Sequence, residues 1–405
     1  MILFEALLYP LNAYFANNSA NIDLKSHSEK LFFEDFCKKL FYAFEQRTDS
    51  LRTLVNDLKD KDLCKDLGFN PTPFSTLKDG FSRFKASFFV AMFQIVLASY
   101  NWASIRALEE LGTFCLIDGS LFPTLIQMQW TAYKSSANAC KLHLCFELNR
   151  MIPTEFMVGS GNSSERNFLI SIAKAGITYI ADRGYFSFDV VQKLVDAKAF
   201  FILRLKSNIL FTVVQNLEIT HSVPMPAFLS NITDCIITFS NDKSKKQYRL
   251  ICFSIGKKLF HICTNRLDIN TLQIIILYAF RWQIELMFKF LKRTLNGIHL
   301  FNHSENGVQI QFYILLCLAL LLLRLKQMSK LIYQESIING EPNQKISKNI
   351  EELISYFGHN PSEFIKNIAQ CFYTTWKISK QFVREVNNFL NKPFDFQLIM
   401  KFADT

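Results

Sequence analysis

The sequence predicts an α/β protein with a mixed five-stranded sheet at its centre, helices on the faces of that sheet, and helical regions on either side. Three strand-like runs follow one another with short links, which favours antiparallel neighbours. Helix and strand patterns then alternate, which favours parallel pairing through right-handed crossovers. A group of short alternating strands and a mostly apolar helix come next, so a β-rich insertion is expected before that helix.

The first part of the chain, residues 1–108, is predicted to be a helical domain. Ser26 with Glu29 three residues later is a capping-box pattern, which predicts a helix that begins there. Residues 75–100 have helical apolar spacing and a basic start, which predicts one long helix. Basic helices bind DNA in some proteins and only pack in others. We assign DNA binding to this domain, with packing as the alternative.

The central part, residues 109–325, contains the predicted catalytic domain. Its first strand ends at Asp118 and its fourth at Asp182. One helix, closed by Gly176, precedes the fourth strand, and a second helix, capped by Ser187, precedes the fifth. The five strands cover, in chain order, about residues 113–118, 141–148, 153–161, 177–182 and 200–207.

This order of strands and helices is the ribonuclease H-like order. The competing interpretation is a doubly wound nucleotide-binding fold, which would need a Gly-rich phosphate loop after its first strand. The residues there read DGSLFP and contain no such loop. The β-rich insertion is predicted over about residues 208–265, and a helical C-terminal domain over residues 326–405. The longest apolar run, Phe312–Leu323, is shorter than the ~20 residues that span a bilayer and predicts a core helix.

The charge and cysteine content narrow the choice of partner and compartment. The chain has 405 residues, a net charge of +10 and a pI near 9.0, which favours an acidic partner. Nucleic acid is the first candidate. An anionic membrane surface is the second, but no basic amphipathic helix supports it. The ten cysteines include no C-x-x-C pair, so a zinc site is not indicated and a reducing cytosol is expected.

Three acidic residues form the predicted active site. Asp118 and Asp182 each follow a run of buried-strand residues, and open α/β sheets bind ligands at that edge. Glu285 can add a third carboxylate from a helix packed on the sheet. Carboxylates without a cysteine pair or histidine cluster indicate a hard cation, Mg²⁺ or Mn²⁺. In a basic protein, such a site suggests two-metal phosphoryl transfer.

The predicted helix that carries Glu285 has an unusual pattern. It is apolar on most of its surface, which predicts that it is largely buried. Its charged and hydroxyl residues fall within an arc of roughly 80° on a wheel of roughly 100° per residue. Such a stripe is ordinarily a solvated face, but beside two aspartates it suits a phosphate backbone. The stripe contains Tyr278, Arg281, Glu285, Lys289 and Lys292.

The same helix carries a resemblance to a known family. The spacing Tyr-x2-Arg-x3-Glu-x6-Lys resembles the signature of bacterial DDE transposases of the insertion sequence 4 family. The residues LIDGS around Asp118 look like that family's first-aspartate strand, and KLHL like its second strand. The block IADRGYFSFDVVQKLVDAKAFFILRLK looks like its second-aspartate block. The resemblance covers about residues 75–325.

The resemblance implies a cut-and-paste transposase with a ribonuclease H-like catalytic domain. Asp118, Asp182 and Glu285 would hold two Mg²⁺ or Mn²⁺ ions, nick the ends of an insertion sequence, and pass the freed 3′-hydroxyls to target DNA. The expected partners are double-stranded DNA, as terminal inverted repeats and target, and a second copy of the chain in a homodimer on paired ends. The expected location is the bacterial cytoplasm, at the nucleoid.

Several basic or aromatic residues are candidates for DNA contact. Tyr278, Arg281 and Lys292 match positions that grip phosphates in the family, and Lys289 and Arg293 are further candidates on or beside the stripe. Three cations near the second aspartate and the fifth strand are plausible phosphate contacts, with an ion pair or a solvated strand end as the alternative. These are Arg183, Arg204 and Lys206.

Two departures from the family limit what the resemblance implies. Some members stack a flipped base on a tryptophan of the insertion, but residues 208–265 contain none. Tyr248, Phe253 and Phe260 are the candidates to replace it, so the use of a hairpin intermediate stays open. The family also often has an aspartate after the GN of its third strand. Here the residues read GNSSER and offer Glu165 instead, to which no role is assigned.

Two other functions remain as alternatives. One is a non-catalytic DNA-binding regulator derived from a transposase, which would have no reason to keep three acids. The other is a host ribonuclease H-like nuclease, for which the long insertion and the C-terminal helices are harder to explain.

Overall fold

The computed structural model describes residues 2–125, 128–134, 137–219, 229–242 and 245–338. Its helices are, in chain order, α1 (Ile2–Lys25), α2 (Phe33–Glu45), α3 (Leu51–Asp57), α4 (Lys61–Leu67), α5 (Phe74–Arg83), α6 (Ala86–Ala98), α7 (Arg106–Glu109), α8 (Glu165–Ile172), α9 (Phe188–Asp196), α10 (Thr271–Ala279), α11 (Trp282–Lys289) and α12 (Glu305–Ile338). Its strands are β1 (Thr113–Thr124), β2 (Ala132–Lys134), β3 (Ala137–Glu147), β4 (Ile152–Ser160), β5 (Ile177–Ala181), β6 (Phe200–Arg204), β7 (Phe211–Asn216), β8 (Leu229–Phe239), β9 (Gln247–Ile255) and β10 (Lys258–Thr264).

The chain divides into two compact units. Among the described residues, the first contains those within 2–103, 123–138 and 289–338, and the second contains those within 104–122 and 139–288. These units cut across the boundaries near residues 108 and 325, so the three-domain division remains a prediction. The proposed C-terminal domain lies outside the described residues beyond Ile338.

The first unit is built around α12, which packs against α1, α2, α5 and α6. Its centre is aromatic: Phe33 meets Phe84 and Phe89 edge to face, with ring centroids 5.4 and 5.2 Å apart. Edge-to-face pairs of buried rings add to the free energy gained from burial alone. The predicted N-terminal helices are therefore present, although the start of one and the continuity of another differ from the prediction.

The prediction of a capping box at Ser26 is wrong. Residues around Ser26 form a turn, and α2 begins at Phe33 without a side-chain cap. The side chain of Ser26 is buried, and its hydroxyl has no hydrogen-bond partner among the described residues. Local capping propensity is worth only about 1 kcal/mol, so the packing of neighbouring phenylalanines decides where the helix begins.

The single long helix predicted over residues 75–100 is also wrong. It is two helices, α5 and α6, bent by 82° at the break between them. The side chain of Asn306, on α12, accepts from the amide of Ala86 and donates to the carbonyls of Phe81 and Phe84. A partner distant in sequence thus binds the backbone groups that the break leaves unpaired, and no local pattern could reveal it.

The predicted core helix around Phe312–Leu323 forms part of α12. The stretch Glu305–Arg324 is long and apolar enough to cross a membrane by length and composition alone. However, 72% of that stretch is buried inside the structure. Packing against protein on most of its surface is what a core helix shows.

The second unit contains most strands of the sheet that positions the aspartates. The strand order of the whole sheet is β2-β3-β1-β5-β6-β10-β9-β8-β7, with β4 also paired to β3. Strand β5 pairs in parallel with both β1 and β6, while β10 pairs antiparallel with β6. A mixed sheet with helices was predicted and is confirmed, and it is compatible with a ribonuclease H-like fold.

The count of five strands is wrong, because the described residues form one ten-stranded sheet. The insertion at residues 208–265 contributes β7 to β10, and they extend the sheet from the edge of β6. An unpaired edge strand exposes a row of backbone donors and acceptors, and β10 satisfies those of β6. The predicted β-rich character of the insertion is thus correct.

Helices α8 and α9 pack on one face of this sheet. Their buried residues, including Leu169 and Leu194, join Tyr179 and Phe201 of the strands in one apolar cluster. Ser187 accepts a hydrogen bond from the amide of Val190, as its predicted role as a cap requires. This core fixes the ends of β5 and β6. Asp182, the second predicted aspartate, is the first residue after β5.

Candidate active site

The two predicted aspartates are brought side by side by parallel strands. The register of β1 with β5 runs from Thr113↔Ile177 to Ile117↔Ala181, and Asp118 and Asp182 follow directly. The expectation that both lie at strand ends is correct only for Asp182, because β1 continues beyond Asp118 to Thr124. The strands separate at this level, and both carboxylates are partly exposed.

The helix with the polar stripe is not continuous, contrary to the prediction. It is α10, then a tight turn at Phe280 and Arg281, then α11, and a π-helical turn at Phe290–Thr294. At the turn the amide of Arg281 donates to the carbonyl of Tyr278 at 3.0 Å. No glycine or proline marks this break, so tertiary contacts of the flanking side chains set its position.

The side chain of Arg281 joins two of the three predicted acids. Its Nη2 donates to Glu285 Oε1 at 2.6 Å, and its Nη1 lies 3.5 Å from Asp118 Oδ2. Only 16% of the Arg281 side chain is exposed. Charge-assisted hydrogen bonds in such a partly dry site are stronger than neutral ones. The first and third acids therefore share one buried cation.

The second acid is held by a different pair of side chains. The hydroxyl of Tyr278 donates to Asp182 Oδ1 at 3.2 Å, and Arg204 Nη1 lies 3.5 Å from the same oxygen. The guanidinium of Arg204 also stacks 4.6 Å from the ring centroid of Phe260. The insertion thus takes part in the site, because Phe260 is on β10.

The pKa values of the site residues are shifted by burial and by neighbouring charges. Burial raises the pKa of Asp118 to about 6, although Arg281 and the amide of Gly119 act in the opposite direction. The charges of Glu285 and Glu165 contribute to the rise. Burial alone would lower the pKa of Arg281, but Tyr278 and the three acids around it raise that pKa above its usual range.

The acids suit a divalent cation by their chemistry. Mg²⁺ and Mn²⁺ prefer carboxylate oxygens, and a cation relieves repulsion between neighbouring carboxylates. Among the residues that the structure describes, however, no three acidic, histidine or cysteine side chains are close enough to hold a metal ion. Arg281 lies between Asp118 and Glu285 and supplies positive charge there. Metal binding by these acids would therefore require its guanidinium to move aside.

The other predicted DNA-contact residues lie in both units. Arg183 and Lys206 belong to the second unit and are exposed. Lys289, Lys292 and Arg293 belong to the first, where Lys289 and Arg293 are exposed. DNA contact by each of them stays a prediction.

The aromatic residues of the insertion are not available to stack on a base. Tyr248, Phe253 and Phe260 are all buried, at 6%, 2% and 8% exposure. Phe253 and Phe260 stack on each other, with ring centroids 5.1 Å apart and planes 5° apart. The expectation that they could replace a base-stacking tryptophan is thus wrong for this arrangement, since their faces are already covered.

Two residues near the acids were missed by sequence reasoning. Glu165, the first residue of α8, was given no role, yet its charge acts on Asp118. Tyr185 follows Asp182 by three residues, and its buried hydroxyl lies among the same charges. The short spacing of Tyr185 from Asp182 was a usable signal, but its burial could be learned only from the packed structure.

Replacing Asp118 by asparagine should stabilise the cation-free protein above pH 6. A carboxyl group with a raised folded-state pKa holds its proton more tightly in the folded protein than in the unfolded chain. Below pH 3.8 the group is neutral in both states, so there it affects stability as a neutral asparagine would. As the pH rises from 3.8 to about 6, the unfolded chain loses this proton while the folded protein keeps it, so stability falls across that range and the loss is complete above about 6. The full shift corresponds to about 3 kcal/mol, and partial exposure reduces the expected gain to about 1–2 kcal/mol.

The measurement is the free energy of unfolding in urea with a chelator, at pH 7.5 and at pH 4. Asp118→Asn should gain stability over the wild type at the higher pH and converge with it at the lower. Asp189→Asn is the control, because Asp189 is an exposed acid of the same unit paired with Lys193. Equal effects of the two variants would show that the burial of Asp118 does not matter.

Comparison with known proteins identifies similar sequences. A curated protein of Sinorhizobium fredii named as a transposase, y4zB, is 25% identical over 252 residues, which is 60% of this chain and 70% of that protein. A protein of Geobacillus stearothermophilus named as a transposase for insertion sequence element IS5377 is 22% identical over 188 residues. That match covers 46% of this chain and 49% of the other. The family model described as the transposase DDE domain matches residues 110–322, more than half of the sequence, and the chain therefore belongs to that family.

Proposed function

We propose that this protein is an active transposase that cuts DNA at the ends of an insertion sequence and joins the freed 3′ ends to target DNA. The observation that carries the proposal is the side-by-side placement of Asp118 and Asp182 after the paired parts of β1 and β5, with Arg281 bound to Asp118 and Glu285, within a transposase DDE domain. These acids come from two neighbouring parallel strands and one helix, so the sheet holds them in a fixed relation.

The three acids would hold the divalent cations, Mg²⁺ or Mn²⁺. Two such ions, when bound, supply Lewis acidity that activates the attacking oxygen and stabilises the leaving oxygen of a phosphodiester. In the first step water attacks phosphorus and the 3′-oxygen leaves, which gives a 3′-hydroxyl. In the second step that hydroxyl attacks a target phosphodiester, and the target's own 3′-oxygen leaves.

The cationic residues around the acids would bind the DNA backbone. Tyr278 and Arg281 hold carboxylates in the absence of DNA, and a phosphate would compete for the same hydrogen-bond donors. With Glu285 and Lys292 they form the signature spacing of the insertion sequence 4 family, to which we assign the protein. Further phosphate contacts are assigned to Lys289, Arg293, Arg183, Arg204 and Lys206.

Double-stranded DNA is the proposed partner, as terminal repeats and as target. The net charge of +10 supports an acidic partner. A homodimer on two paired DNA ends and a cytoplasmic, nucleoid-associated location complete the proposal.

The test is an assay of the purified full chain on DNA that carries the terminal repeats flanking its own gene. With Mg²⁺ we expect nicks that leave 3′-hydroxyls at the element's ends, followed by covalent joining to a target plasmid. With a chelator, both products should disappear while the protein still shifts the end DNA in a gel.

Two outcomes would separate the alternatives. Binding to the ends without any cleavage in Mg²⁺ or Mn²⁺ would favour a non-catalytic regulator. Cleavage that does not depend on the end sequence, without joining of the ends to the target plasmid, would favour a general ribonuclease H-like nuclease.

A further inference from the structure

Three side chains form a row on one face of the sheet, across β6, β10 and β9. Phe260 lies directly opposite Phe253 in the pairing of β10 with β9. Arg204 lies opposite Ile262 in the pairing of β6 with β10, and Ile262 is two residues from Phe260. Residues two apart on a strand share a face of the sheet, so Arg204 and Phe260 are diagonal neighbours on adjacent strands. Strand β10 lies between the other two, which places Phe260 in the middle of the row.

The two phenylalanines of this row, Phe253 and Phe260, form an aromatic shelf. Both are buried, and their rings are stacked with almost parallel planes. The ring of Tyr278, on α10, meets Phe260 at a centroid distance of 6.5 Å and an interplanar angle of 61°. Buried rings that are packed from two sides have little freedom to turn. The aromatic shelf therefore presents a fixed ring face next to Arg204.

The guanidinium of Arg204 lies on the aromatic shelf and reaches Asp182. Its Cζ is 4.6 Å from the ring centroid of Phe260, and its Nη1 is 3.5 Å from Asp182 Oδ1. The side chain of Asp182 is 33% exposed, and an ion pair of that length with a partly exposed acid constrains an arginine only weakly. Stacking on a buried ring fixes the plane of the guanidinium. The contact with Phe260 therefore sets the orientation of Arg204.

We propose that Phe260 is a positioning residue of the active site, and that the aromatic shelf holds Arg204 beside Asp182 in the orientation that receives a phosphate of the DNA end. This inference rests on the proposed function, in which Arg204 contacts the DNA backbone. A guanidinium pairs with a phosphate through two parallel hydrogen bonds, so the plane of the guanidinium decides whether both can form. The β-rich insertion thus serves the reaction by its packing and not by an exposed ring for a base.

The competing explanation is that Phe260 is an ordinary core residue and that Arg204 only neutralises Asp182. Loss of the ring would then lower the stability of the protein but would leave its contacts with DNA unchanged. The two explanations predict different couplings between variants. If Phe260 acts through Arg204, replacing Phe260 matters only while Arg204 is present, whereas the effects of two independent residues add.

The first measurement is a double-mutant cycle on the nicking rate of end DNA with Mg²⁺. Phe260→Leu keeps an apolar side chain but removes the aromatic face. It should slow nicking about 10-fold, the factor that loss of a partly desolvated cation–π contact corresponds to. Arg204→Gln should slow nicking by at least as much. In the Arg204→Gln background, Phe260→Leu should change the rate by less than about 2-fold, since the group that it positions is gone.

The second measurement is the salt dependence of binding of the full chain to the same DNA in a chelator. Each phosphate contact contributes about 0.9 to the slope of log affinity against log salt concentration, and Arg204→Gln should reduce the slope by about that amount. Phe260→Leu changes no charge, yet it should reduce the slope in the same direction, because a guanidinium without the aromatic shelf no longer pairs with a fixed phosphate. A loss of core packing alone would leave the slope unchanged.

Phe239→Leu is the matched control. Phe239 is on β8 of the same insertion, is 1% exposed, and packs on Tyr248 with ring centroids 5.6 Å apart. The same substitution there also removes a buried ring, so it should lower the melting temperature as Phe260→Leu does. Its nicking rate and its salt slope should equal those of the wild type at temperatures where both variants are folded.

A second variant tests the stacking without a change in the core. Arg204→Lys keeps the charge, but a lysine has no planar fork to lie on the aromatic shelf. Arg204 is 25% exposed, so this variant should fold as the wild type does even if Phe260→Leu does not. It should nick about 10-fold more slowly than the wild type, as Phe260→Leu does.

The outcomes distinguish this inference from the function on which it rests. A wild-type chain that binds the DNA but never nicks it would overturn the proposed function, and the salt slopes would then decide the role of Phe260 alone. Additive effects on the rate in the cycle, or a wild-type slope in Phe260→Leu, would overturn the positioning role. Wild-type nicking by Arg204→Lys would overturn it as well.

Discussion

Changing any one of Asp118, Asp182 and Glu285 to its amide should reduce cleavage of the element's ends by at least about 10³-fold. Metal-ion catalysis stabilises transition-state charge by several kcal/mol, and each 1.36 kcal/mol is a factor of ten in rate. An amide keeps the size of the side chain but removes its negative charge. The variants should therefore lose the chemical step of cleavage and retain DNA binding.

The measurement compares nicking rates at saturating Mg²⁺ with end binding in a chelator. Each variant should bind the terminal repeat as the wild type does, because the surface cations that meet phosphates are unchanged. Asp189→Asn is the control, since this exposed acid of α9 pairs only with the exposed Lys193 in the structure. A single amide variant that cuts at the wild-type rate would remove that residue from the catalytic set.

The predicted effects of Asp118 on the stability of the protein and on DNA cleavage have opposite signs, as the assignment of Asp118 to the active site requires. Its burial beside other acids costs the cation-free protein folding energy above pH 6. Strain of this kind is typical of functional sites. An amide that makes the protein more stable and inactive at once would be hard to explain by a structural role.

The pairing of the two aspartates was predictable from sequence because strand burial is a local pattern. Apolar runs before Asp118 and Asp182 identify buried strands, and the helix between β4 and β5 forces a crossover. A crossover connection gives parallel neighbours, and parallel neighbours place residues that follow matched strand ends side by side. The observed parallel pairing, with Ile117 opposite Ala181, agrees with this reasoning.

The extent of the sheet was not predictable by the same reasoning. Periodicity identifies β7 to β10 as strands but does not say which edge they join. That choice depends on hydrogen bonds between residues about 60 positions apart, such as Thr264 opposite Ile202. The break in the helix at Arg281 has a similar cause, because the guanidinium is bound by Asp118, which is 163 residues away.

The role of charge at the site was partly visible in the sequence. The sequence predicts Glu285 of the stripe as a metal ligand and Tyr278 and Arg281 as phosphate contacts. In the structure its tyrosine and arginine hold the carboxylates, which no wheel diagram can indicate because their partners are on other elements. Glu165 was overlooked for the same reason, since its neighbours are glycines on two separate segments.

Removing either partner of the buried pair Asp234 and Arg249 should destabilise the second unit by about 3–5 kcal/mol. Arg249 donates to both oxygens of Asp234, at 2.6 to 3.2 Å, and its Nη1 donates to the carbonyls of Arg266 and Ile269. The exposed fraction is 5% for Arg249 and 3% for Asp234. Asp234→Ala would leave a buried guanidinium without its counter-charge.

This pair also links the insertion to the helix that carries the site. The hydroxyl of Thr271, the first residue of α10, donates to Asp234 Oδ2 at 2.7 Å. Because β8 and β9 hold the pair, its loss should loosen the start of α10 and misplace Tyr278 relative to Asp182. We expect slower end cleavage in Asp234→Ala even at temperatures where the variant remains folded.

Thermal melting and hydrogen exchange measure the effect separately. A loss of 3–5 kcal/mol should lower the melting temperature by about 10 °C, and exchange should rise most in α10 and β8. Asp189→Ala, which removes an exposed ion pair, should change stability by less than about 1 kcal/mol. The double variant Asp234→Leu with Arg249→Met should recover much of the lost stability, since apolar side chains need no counter-charge. If Asp234→Ala melts with the wild type, then the buried pair does not anchor α10, and the position of Tyr278 must depend on other contacts.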